Sequence, residues 1–422
     1  MRGSPTVPRC GISRGGSGIG LRSRAWHLPA LRDAPVRVCL TEVAGARDTI
    51  NGQRLTPCFG AGLTRAAAAR RGRDEYIERW SGFFRGDEPL VRASFRDLGE
   101  HAIHPNDVML LSSRQLEALR PRWGARRGAP LFDETAPVAW TALLSLNTKQ
   151  WRYLPAQLVW FGHPREAALA YGAADSNGAA AGRTLADATL RGLLEVVERD
   201  SVALWWYNRA RRPRVALDHA SDPLIHRLRG WFEALGRDVW VLDVTSDVGI
   251  PVVVAVSSLR TGKQHRILLG FGAHLDRERA VRRALVEMAQ EAAIVHASDE
   301  QYLTLLTDDR RWLRHGTLTN QPQLRPGAGD PMRLATNRWR QLGNGAILLR
   351  CRQLLARCGL EILVANQTRP GTGRQVVKVF VPGLRPWWPR FARGRLYEAP
   401  VVAGWRLRPH REATLNPTAI WF

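Results

Sequence analysis

The chain has 422 residues, of which 45% are hydrophobic and 24% are charged, a composition typical of a globular protein. No run of about 18 apolar residues occurs, which excludes a membrane-spanning helix. The five cysteines show neither zinc spacing nor the even count of a disulfide framework, so we expect a reducing, cytoplasmic compartment. The net charge of +24 comes from arginines spread along the chain without a nucleic-acid motif, so we do not expect a nucleic-acid partner.

Strands and helices alternate along the chain after an irregular start. We predict strands at 35–41, 137–146, 157–162, 238–246, 250–259, 265–275 and 375–384. We predict helices from a Gly turn near residue 60 to about residue 84, from Thr184 to about 209, at 276–296, and at the start of 350–368, which ends as a strand. We predict loops from about 85 to 130, at the small-residue turn 175–184, and in the Pro/Gly-rich stretch 316–333, which we expect to be mobile. This order favours an α/β or mixed α+β fold.

The predicted helix that contains LRGLLEVVERDSVALWWYNR carries carboxylates beside its apolar face. At about 100° per residue, its Leu and Val side chains share one face. A second face, within an arc of about 80°, holds Asp187, Arg191, Glu195 and Glu198. Thr184, with Asp187 three residues later, has the spacing of a capping box that begins this helix. A polar stripe therefore runs beside an apolar one.

The same i, i+4, i+7 spacing occurs in two other predicted helices. The two sets are Arg71, Glu75 and Glu78, with Arg79 directly after, and Arg283, Glu287 and Gln290. The two ExxER units lie 120 residues apart, which is too isolated for a tandem repeat. On one helix, such residues are most simply explained as solvated surface salt bridges. Three such helices favour a shared site instead.

A site where carboxylates converge needs cations, because the carboxylates repel one another. Hard oxygen ligands select Mg²⁺, which usually binds together with phosphates, and interleaved arginines suit those phosphates. The chain lacks a GxxxxGK[ST] P-loop, a full dinucleotide fingerprint, and the kinase HRD and DFG motifs. The residues therefore predict a Mg²⁺–nucleotide site of another kind, built from helix faces.

Several long blocks of the sequence resemble one known family. The blocks are SNGAAAGRTLADATLRGLLEVVERDSVALWWYNR, GFGAHLDRERAVRRALVEMAQ and VVKVFVPGLRPWWPRFARGRLYEAPVVAGW, supported by YIERWSGFFRGDEP and HAIHPNDVMLLS. Over roughly residues 55–420 the chain resembles the YcaO superfamily, and most closely its azoline-forming cyclodehydratases of thiazole/oxazole-modified microcin (TOMM) biosynthesis. The resemblance implies a YcaO-type fold of packed sheets and helices with a nucleotide site between helices. It also implies a catalytic domain at 55–422 after an N-terminal segment, 1–54, that is partly disordered with a short strand region.

The resemblance implies an enzyme that depends on ATP and Mg²⁺. In the family's reaction, a Cys, Ser or Thr side chain of a ribosomal precursor peptide attacks the preceding backbone amide. ATP phosphorylates the resulting oxyanion, and loss of phosphate leaves an azoline. Carried over by motif, the Mg²⁺ ligands are Glu75, Glu78, Glu195 and Glu198. The residues that contact or order the nucleotide are Asp187, Arg199, Arg283, Glu287 and Arg79. The catalytic candidates are Glu287 and Gln290.

Four positions depart from the family's usual motif. They are Ala61, where Lys is usual, Arg71 in place of Ser, Arg183 in place of Asn, and Arg191 in place of Gln or a similar residue. The tail LNPTAIWF also has one proline where the branch usually has a Pro-rich PxPxP end. These departures keep open a catalytically weak YcaO protein that acts as a scaffold or binds peptides. The family also leaves open an external nucleophile, which would give a thioamide or a macroamidine.

The resemblance implies protein partners as well as a precursor peptide. About 55 residues precede the matching region, too few for a ThiF-like region. We therefore expect a separate ThiF/E1-like partner that binds the leader of the precursor peptide. Pairing of two copies as a homodimer is a further expectation from the family, and no membrane contact is expected.

Overall fold

The structure, a computed structural model, describes residues 23–29, 31–43, 49–50, 53–54, 57–123, 130–261, 265–300, 303–304, 307–328, 330–334 and 338–420. Its strands are β1 (Ser23–His27), β2 (Arg37–Val43), β3 (Thr49–Ile50), β4 (Gln53–Arg54), β5 (Cys58–Gly62), β6 (Leu90–Ala93), β7 (Val138–Ser145), β8 (Trp151–Pro155), β9 (Ala179–Gly182), β10 (Val215–Ala216), β11 (Arg237–Asp243), β12 (Val252–Leu259), β13 (Leu268–Ala273), β14 (Met332–Arg333), β15 (Leu363–Asn366) and β16 (Gln375–Phe380). Its helices are α1 (Arg65–Ser81), α2 (Phe95–Leu98), α3 (Pro105–Met109), α4 (Ser113–Leu119), α5 (Ala156–Val159), α6 (Leu185–Tyr207), α7 (Pro223–Ala234), α8 (Arg277–Asp299), α9 (Thr307–His315), α10 (Asn344–Arg357) and α11 (Arg395–Val402). This mixture confirms the predicted class.

The strands form three main sheets. One has the order β1-β2-β5, a second has β11-β12-β13, and the third has β6-β7-β15-β16-β9 with β8 also paired to β7. Every pairing in these sheets is antiparallel. Among the described strands, β5, β9 and β13 each lie at the edge of a different sheet. An edge strand has one row of backbone N–H and C=O groups that its own sheet does not pair.

Each of these edge strands leads directly into a long helix, which gives three strand–helix units: β5–α1, β9–α6 and β13–α8. Each helix begins after a residue whose side chain accepts hydrogen bonds from the N–H groups of the first turn; these residues are Thr64, Thr184 and Asp276. Eleven residues after each cap stand Glu75, Glu195 and Glu287. The chain therefore contains one local arrangement three times, although the copies are far apart in sequence.

The helices pack directly on their strands because the strand residues beneath them are small. β5 reads CFGAG, β9 reads AAAG and β13 reads LLGFGA. A Cβ atom added at Gly60 would overlap the backbone of α1 at Ala68 and Gly72, and one added at Gly182 would overlap α6 at Ala188. Both α1 and α6 also contact β9. The close approach fixes the position of each helix relative to its strand, and with it the place of every side chain on the polar face.

The described residues form two large hydrophobic cores and two smaller clusters, and the smaller clusters join the β5–α1 unit to β9, β16 and α8. The larger core joins α6, α7 and α8 to the sheet β11-β12-β13, and it fully buries Trp205, Trp206 and Tyr207 at the end of α6. The second core surrounds β7, β8 and α5. None of the helices in the described part of the chain is both long and apolar enough to cross a membrane.

Several sequence predictions of local structure are wrong, and tertiary packing explains them. The predicted strand at 157–162 begins as the helix α5, and the predicted turn at 175–184 contains β9. The predicted loop at 85–130 holds β6 and the helices α2, α3 and α4. In the stretch 316–333, a 3₁₀ turn at Pro322–Leu324 is partly buried and β14 pairs with β10. Polar or small residues form regular structure here because neighbouring elements cover them.

The division of the chain after residue 54 stays a prediction. Within the described residues, β1 and β2 extend the sheet to which β5 belongs, and α1 contacts both of them. Residues 1–22, for which the sequence predicts partial disorder, lie outside the described residues.

Lys378 lies on β16 and is only 1% exposed. Its ammonium group donates to the backbone carbonyls of Asp175, at 2.6 Å, and Leu158, at 3.3 Å. It also lies 5.6 Å from the centre of the Phe161 ring and 5.1 Å from that of Phe380. Burial lowers the pKa of Lys378 from 10.5 to about 8, because the charged form loses its hydration.

The buried lysine predicts a specific dependence of stability on pH. Between about pH 8 and 10.5 the folded lysine is neutral while the unfolded one is still charged, so the unfolded state binds more protons and stability rises with pH. Lys378→Met should remove this rise, which can reach about 3 kcal/mol. The free energy of unfolding, measured by denaturant titration across this pH range, tests it. The exposed Lys149→Met is the control, and an unchanged pH slope in Lys378→Met would contradict the prediction.

The close packing of α1 on β5 predicts that Gly60→Ala lowers the free energy of unfolding by about 1–3 kcal/mol, since backbone must move to admit the methyl group. The matched control is Gly230→Ala on the exposed side of α7, where a Cβ meets nothing within 4 Å. There the better helix propensity of alanine should be neutral or stabilising by up to about 1 kcal/mol. The free energy of unfolding of both variants is measured by urea denaturation. Equal changes in the two variants would show that the close contact of α1 with Gly60 does not contribute to stability.

Candidate functional site

A cavity of about 780 Å³ opens where the three strand–helix units meet. Its acidic lining residues are Asp74, Glu75, Glu78, Asp187, Glu195, Glu198 and Glu287. Its basic lining residues are Arg71, Arg191, Arg199, Arg279, Arg282 and Arg283. The three helices that the sequence pattern picked out therefore share one cavity, and their charged stripes face it.

The charges are ordered along the cavity in the same way on each helix. The first position of the i, i+4, i+7 set is an exposed arginine in every unit: Arg71, Arg191 and Arg283. The second and third positions are half-buried. They are Glu75 and Glu78, Glu195 and Glu198, and Glu287 and Gln290. Arginines thus surround the more exposed end, and carboxylates line the more buried part.

The carboxylates of different helices are close enough to repel one another. Burial raises the pKa of Glu198 to about 8, and the charge of Glu287 on the facing helix adds to this rise. Burial likewise raises the pKa of Glu75 and of Glu78, and the charge of Glu195 adds to both. Such a group of carboxylates is stabilised by bound cations.

Backbone N–H groups of the edge strands hold two of these carboxylates in place. The N–H of Phe59 on β5 donates to Glu75 Oε2 at 3.1 Å. The N–H of Phe271 on β13 donates to Glu287 Oε2. Both bonds span 16 residues, so the same contact occurs in two units. The edge N–H groups thus fix the carboxylates at the cavity wall.

An arginine ends the ExxER sequence on α1 and on α6 and forms an ion pair with the first carboxylate. Arg79 Nη2 lies 3.4 Å from Glu75 Oε1, and Arg199 Nη2 lies 3.1 Å from Glu195 Oε1. The Nε atoms of both arginines are buried without a hydrogen-bond partner. The guanidinium of Arg199 also stacks on the ring of Trp387, which packs against Phe271. The second unit is therefore braced by the segment that follows β16.

Asp187 at the start of α6 links three parts of the structure. Its carboxylate accepts hydrogen bonds from the backbone N–H of Arg183, from Arg191 Nε at 3.1 Å, and from the Asn344 amide of α10 at 3.0 Å. The hydroxyl of Thr184 accepts from the Asp187 N–H, which confirms the predicted cap. The carboxylate does not complete the capping box, because its bond goes to Arg183 instead. Asp187 thereby holds Arg191 at the edge of the cavity.

The structure brings together nearly all the residues predicted as site residues. Those that line the cavity are Asp187, Arg199, Arg283, Glu287, Gln290, Glu75, Glu78, Glu195 and Glu198. Arg79 is not part of the lining and instead pairs with Glu75 and Glu78. Within the described residues, no group of three or more His, Cys, Asp or Glu side chains is arranged to hold a metal ion. The metal ligand set therefore stays a prediction.

Several residues at or beside the cavity were not predicted as site residues, among them Arg282, Asn344 and Trp387. Arg282 lies on α8 one residue before Arg283. It was missed because it does not belong to the i, i+4, i+7 set that begins at Arg283. Asn344 reaches the cavity from α10, and nothing in the sequence links it to Asp187. Trp387 stacks on Arg199 from a Pro-rich segment. The fold decides which residues far apart in sequence come into contact. The only sequence signal for the Trp387 contact was the aromatic character of its segment.

A comparison with family models matches residues 59–385 to one described as "YcaO cyclodehydratase", binding ATP and Mg²⁺. This span covers most of the chain and all three strand–helix units. The chain belongs to the YcaO family. The resemblance drawn from the sequence is therefore confirmed, and so are ATP and Mg²⁺ as the ligands of the family.

Three solved structures are similar to this YcaO chain. A heterocyclase in complex with substrate and cofactor matches with a TM-score of 0.84 and 36% identity, over 94% of this chain and 54% of that one. The heterocyclase TruD matches with a TM-score of 0.74 and 41% identity, over 86% and 51%. The YcaO protein of Methanopyrus kandleri, bound with AMPPCP and Mg²⁺, matches with a TM-score of 0.62 and 23% identity, over 85% of both chains. The chain spans about half the length of the two heterocyclases, and their similarity confirms the cyclodehydratase branch.

The residues of the cavity fit the ligands of the family. Mg²⁺ commonly binds through one or two carboxylates together with phosphates and waters, so it does not need a preformed cage of three side chains. Facing carboxylates on α1, α6 and α8 supply such oxygens, and the buried Nε atoms of Arg79 and Arg199 lack partners. The arginines at the exposed end suit phosphate groups. The donor set is therefore consistent with a magnesium–nucleotide site.

Trp387 predicts a measurable contribution to nucleotide affinity, since it holds Arg199 in place. A cation–π contact is worth about 0.5–2 kcal/mol, so Trp387→Leu should weaken binding of a non-hydrolysable ATP analogue with Mg²⁺ by about 2- to 30-fold. Trp387→Phe should retain most of the affinity. Isothermal titration calorimetry measures it, with the exposed Trp151→Leu as control. An unchanged affinity of Trp387→Leu for the ATP analogue would show that Trp387 does not contribute to nucleotide binding.

Proposed function

We propose that this YcaO chain is an ATP-dependent peptide cyclodehydratase that converts Cys, Ser or Thr residues of a ribosomal precursor peptide to azolines. The observation that carries the proposal is the meeting of three strand–helix units around one cavity, with carboxylates inside and arginines at its exposed end. The similarity to heterocyclases at 36% and 41% identity supports the reaction class.

In the proposed reaction the side-chain oxygen or sulfur loses its proton and bonds to the preceding amide carbon, and the amide oxygen leaves as phosphate. The amide nitrogen loses its proton as the carbon–nitrogen double bond forms, so the peptide loses the elements of one water per ring. When bound, ATP supplies the phosphoryl group and Mg²⁺ neutralises its charge. The residues proposed to hold the metal are Glu75, Glu78, Glu195 and Glu198. The charge of the phosphate groups is stabilised by fixed cations, which favours catalysis by electrostatics and positioning.

We assign distinct roles to the remaining site residues. Arg199 and Arg283 contact the phosphate groups, and Asp187 orders the start of α6 through its three hydrogen bonds. Arg79 does not line the cavity but pairs with Glu75 and Glu78, and so orders these proposed metal ligands. Glu287, held by the N–H of Phe271, is placed to take the proton of the attacking side chain. Gln290, one turn further along α8, orients the amide group.

The partners belong to the proposal as well. A separate ThiF/E1-like protein would bind the leader of the precursor peptide. We place the reaction in the cytoplasm, where ATP is available, and no disulfide joins the cysteines in the described part of the chain. Pairing into a homodimer stays a prediction.

The reaction is tested with the full chain, ATP, Mg²⁺, and a candidate precursor peptide and leader-binding protein encoded beside its gene. Phosphate release together with loss of one water per modified residue is the expected result. Glu195→Gln should lower the rate by roughly 100-fold or more, because one of the carboxylates proposed to hold Mg²⁺ against the phosphate groups is lost. The control is Glu233→Gln on α7, which pairs with Arg229 away from the cavity.

Other outcomes of this experiment point to the alternatives. Exchange of oxygen for sulfur on the precursor would indicate a thioamide-forming enzyme, and a crosslink located by fragmentation would indicate an amidine. A chain that binds the peptide but not ATP would be a scaffold. Equal activities of Glu195→Gln and Glu233→Gln would show that the cavity is not the site of the reaction.

A further inference from the structure

The three arginines Arg71, Arg191 and Arg283 occupy equivalent positions, four residues before the first carboxylate of each unit. They come from helices far apart in sequence, yet all three line the cavity and all three are exposed to solvent. The fold therefore gathers three guanidinium groups around the opening of one cavity.

These guanidinium groups are close enough to repel one another. Partial loss of hydration at the cavity wall lowers the pKa of Arg71, and the charges of Arg282, Arg283 and Arg191 lower it further. Partial loss of hydration also lowers the pKa of Arg283; the charge of Glu198 opposes this shift and that of Arg191 adds to it. Like charges gathered from three chain segments repel one another, and an anion that bridges them relieves the repulsion.

Two of the arginines keep their guanidinium groups available for a ligand. Arg71 donates to the backbone carbonyl of Ala61, and Arg283 donates to that of Ala273. These are corresponding carbonyls at the ends of β5 and β13. Among the described residues, neither arginine forms an ion pair with a carboxylate. A neutral carbonyl orients the guanidinium without adding a negative charge, although the charges of Glu198, Glu287 and Glu195 partly offset that of Arg283.

The third arginine is held at the opening by a different contact. Arg191 pairs with Asp187, whose carboxylate also accepts from Asn344. The pair fixes the Arg191 side chain, although it also reduces the net charge at this position. Arg191 should therefore contribute less to anion binding than Arg71.

We propose that Arg71, Arg191 and Arg283 form a clamp that binds a linear chain of phosphate groups by itself, so that inorganic tripolyphosphate binds in the cavity without a nucleoside. A guanidinium group donates two parallel hydrogen bonds to phosphate oxygens, and three groups approaching from different helices match successive phosphates. The inference rests on the proposed function in one respect, since ATP is taken to bind in the same cavity. It adds that the phosphate chain, rather than the base, supplies most of the affinity.

Calorimetric titration of the full chain with inorganic tripolyphosphate, at low and high NaCl concentration, tests the clamp. We expect binding of one tripolyphosphate per chain, weakened by salt and competitive with ATP. Arg71→Gln should weaken tripolyphosphate binding by about 10-fold or more, the loss expected for hydrogen bonds to a charged group. The matched control is Arg70→Gln, the neighbouring exposed arginine on α1, which does not line the cavity; it should change the affinity by less than about 2-fold.

A second variant keeps the test decisive if Arg71→Gln fails to fold. Arg191→Gln should weaken tripolyphosphate binding by a smaller factor than Arg71→Gln but by more than Arg70→Gln. If ATP binds and tripolyphosphate does not, the clamp is wrong while the proposed function stands. If tripolyphosphate binds equally well to Arg71→Gln, Arg191→Gln and Arg70→Gln, the clamp is also wrong. If tripolyphosphate binds and ATP does not, the clamp stands and the proposed function fails.

Discussion

The packing of a helix backbone directly on an edge strand is the constraint on which the rest of this structure depends. It occurs three times, and each time small residues in the strand remove the side chains that would otherwise separate the two elements. With the helix so close, a carboxylate on its polar face reaches the strand's outer N–H groups, as Glu75 does at Phe59. The edge of each sheet is thereby covered, and a row of charges is held at a defined depth.

This arrangement concentrates charge of both signs in one cavity. Loss of hydration raises the pKa of the carboxylates and lowers that of Arg71, and the like charges on α1, α6 and α8 add to both shifts. Both effects follow from holding like charges together where few water molecules can screen them. The two hydrophobic cores provide the stability that such an arrangement requires. Ligands of both signs, a divalent cation and a phosphate chain, relieve the two kinds of repulsion together.

The positions where this chain departs from the family's usual motif lie at the same opening. Arg71 and Arg191 line the cavity, and the backbone N–H of Arg183 donates to Asp187. Ala61 provides the carbonyl that accepts from Arg71. The departures therefore form two pairs: Arg71 bonds to Ala61, and Arg183 and Arg191 both bond to Asp187. They alter the charge at the exposed end and leave the carboxylates of the inner part unchanged.

The sequence by itself determined the local content of the site. The spacing of Glu75, Glu195 and Glu287 relative to their arginines follows from helical periodicity, and the blocks around them were enough to indicate the YcaO family. Periodicity is a property of one segment at a time, so it could be seen without knowledge of the fold. The same reasoning missed β9, because alanine and glycine have little intrinsic tendency to form a strand.

Only the tertiary structure decided which stripes face each other and what supports them. The contacts of Asp187 with Asn344, and of Arg199 with Trp387, span 157 and 188 residues. They also depend on how separate sheets and the segment after β16 pack together. The edge strands and the helices that cover them set these distances through shape and burial, which no local pattern of residues encodes.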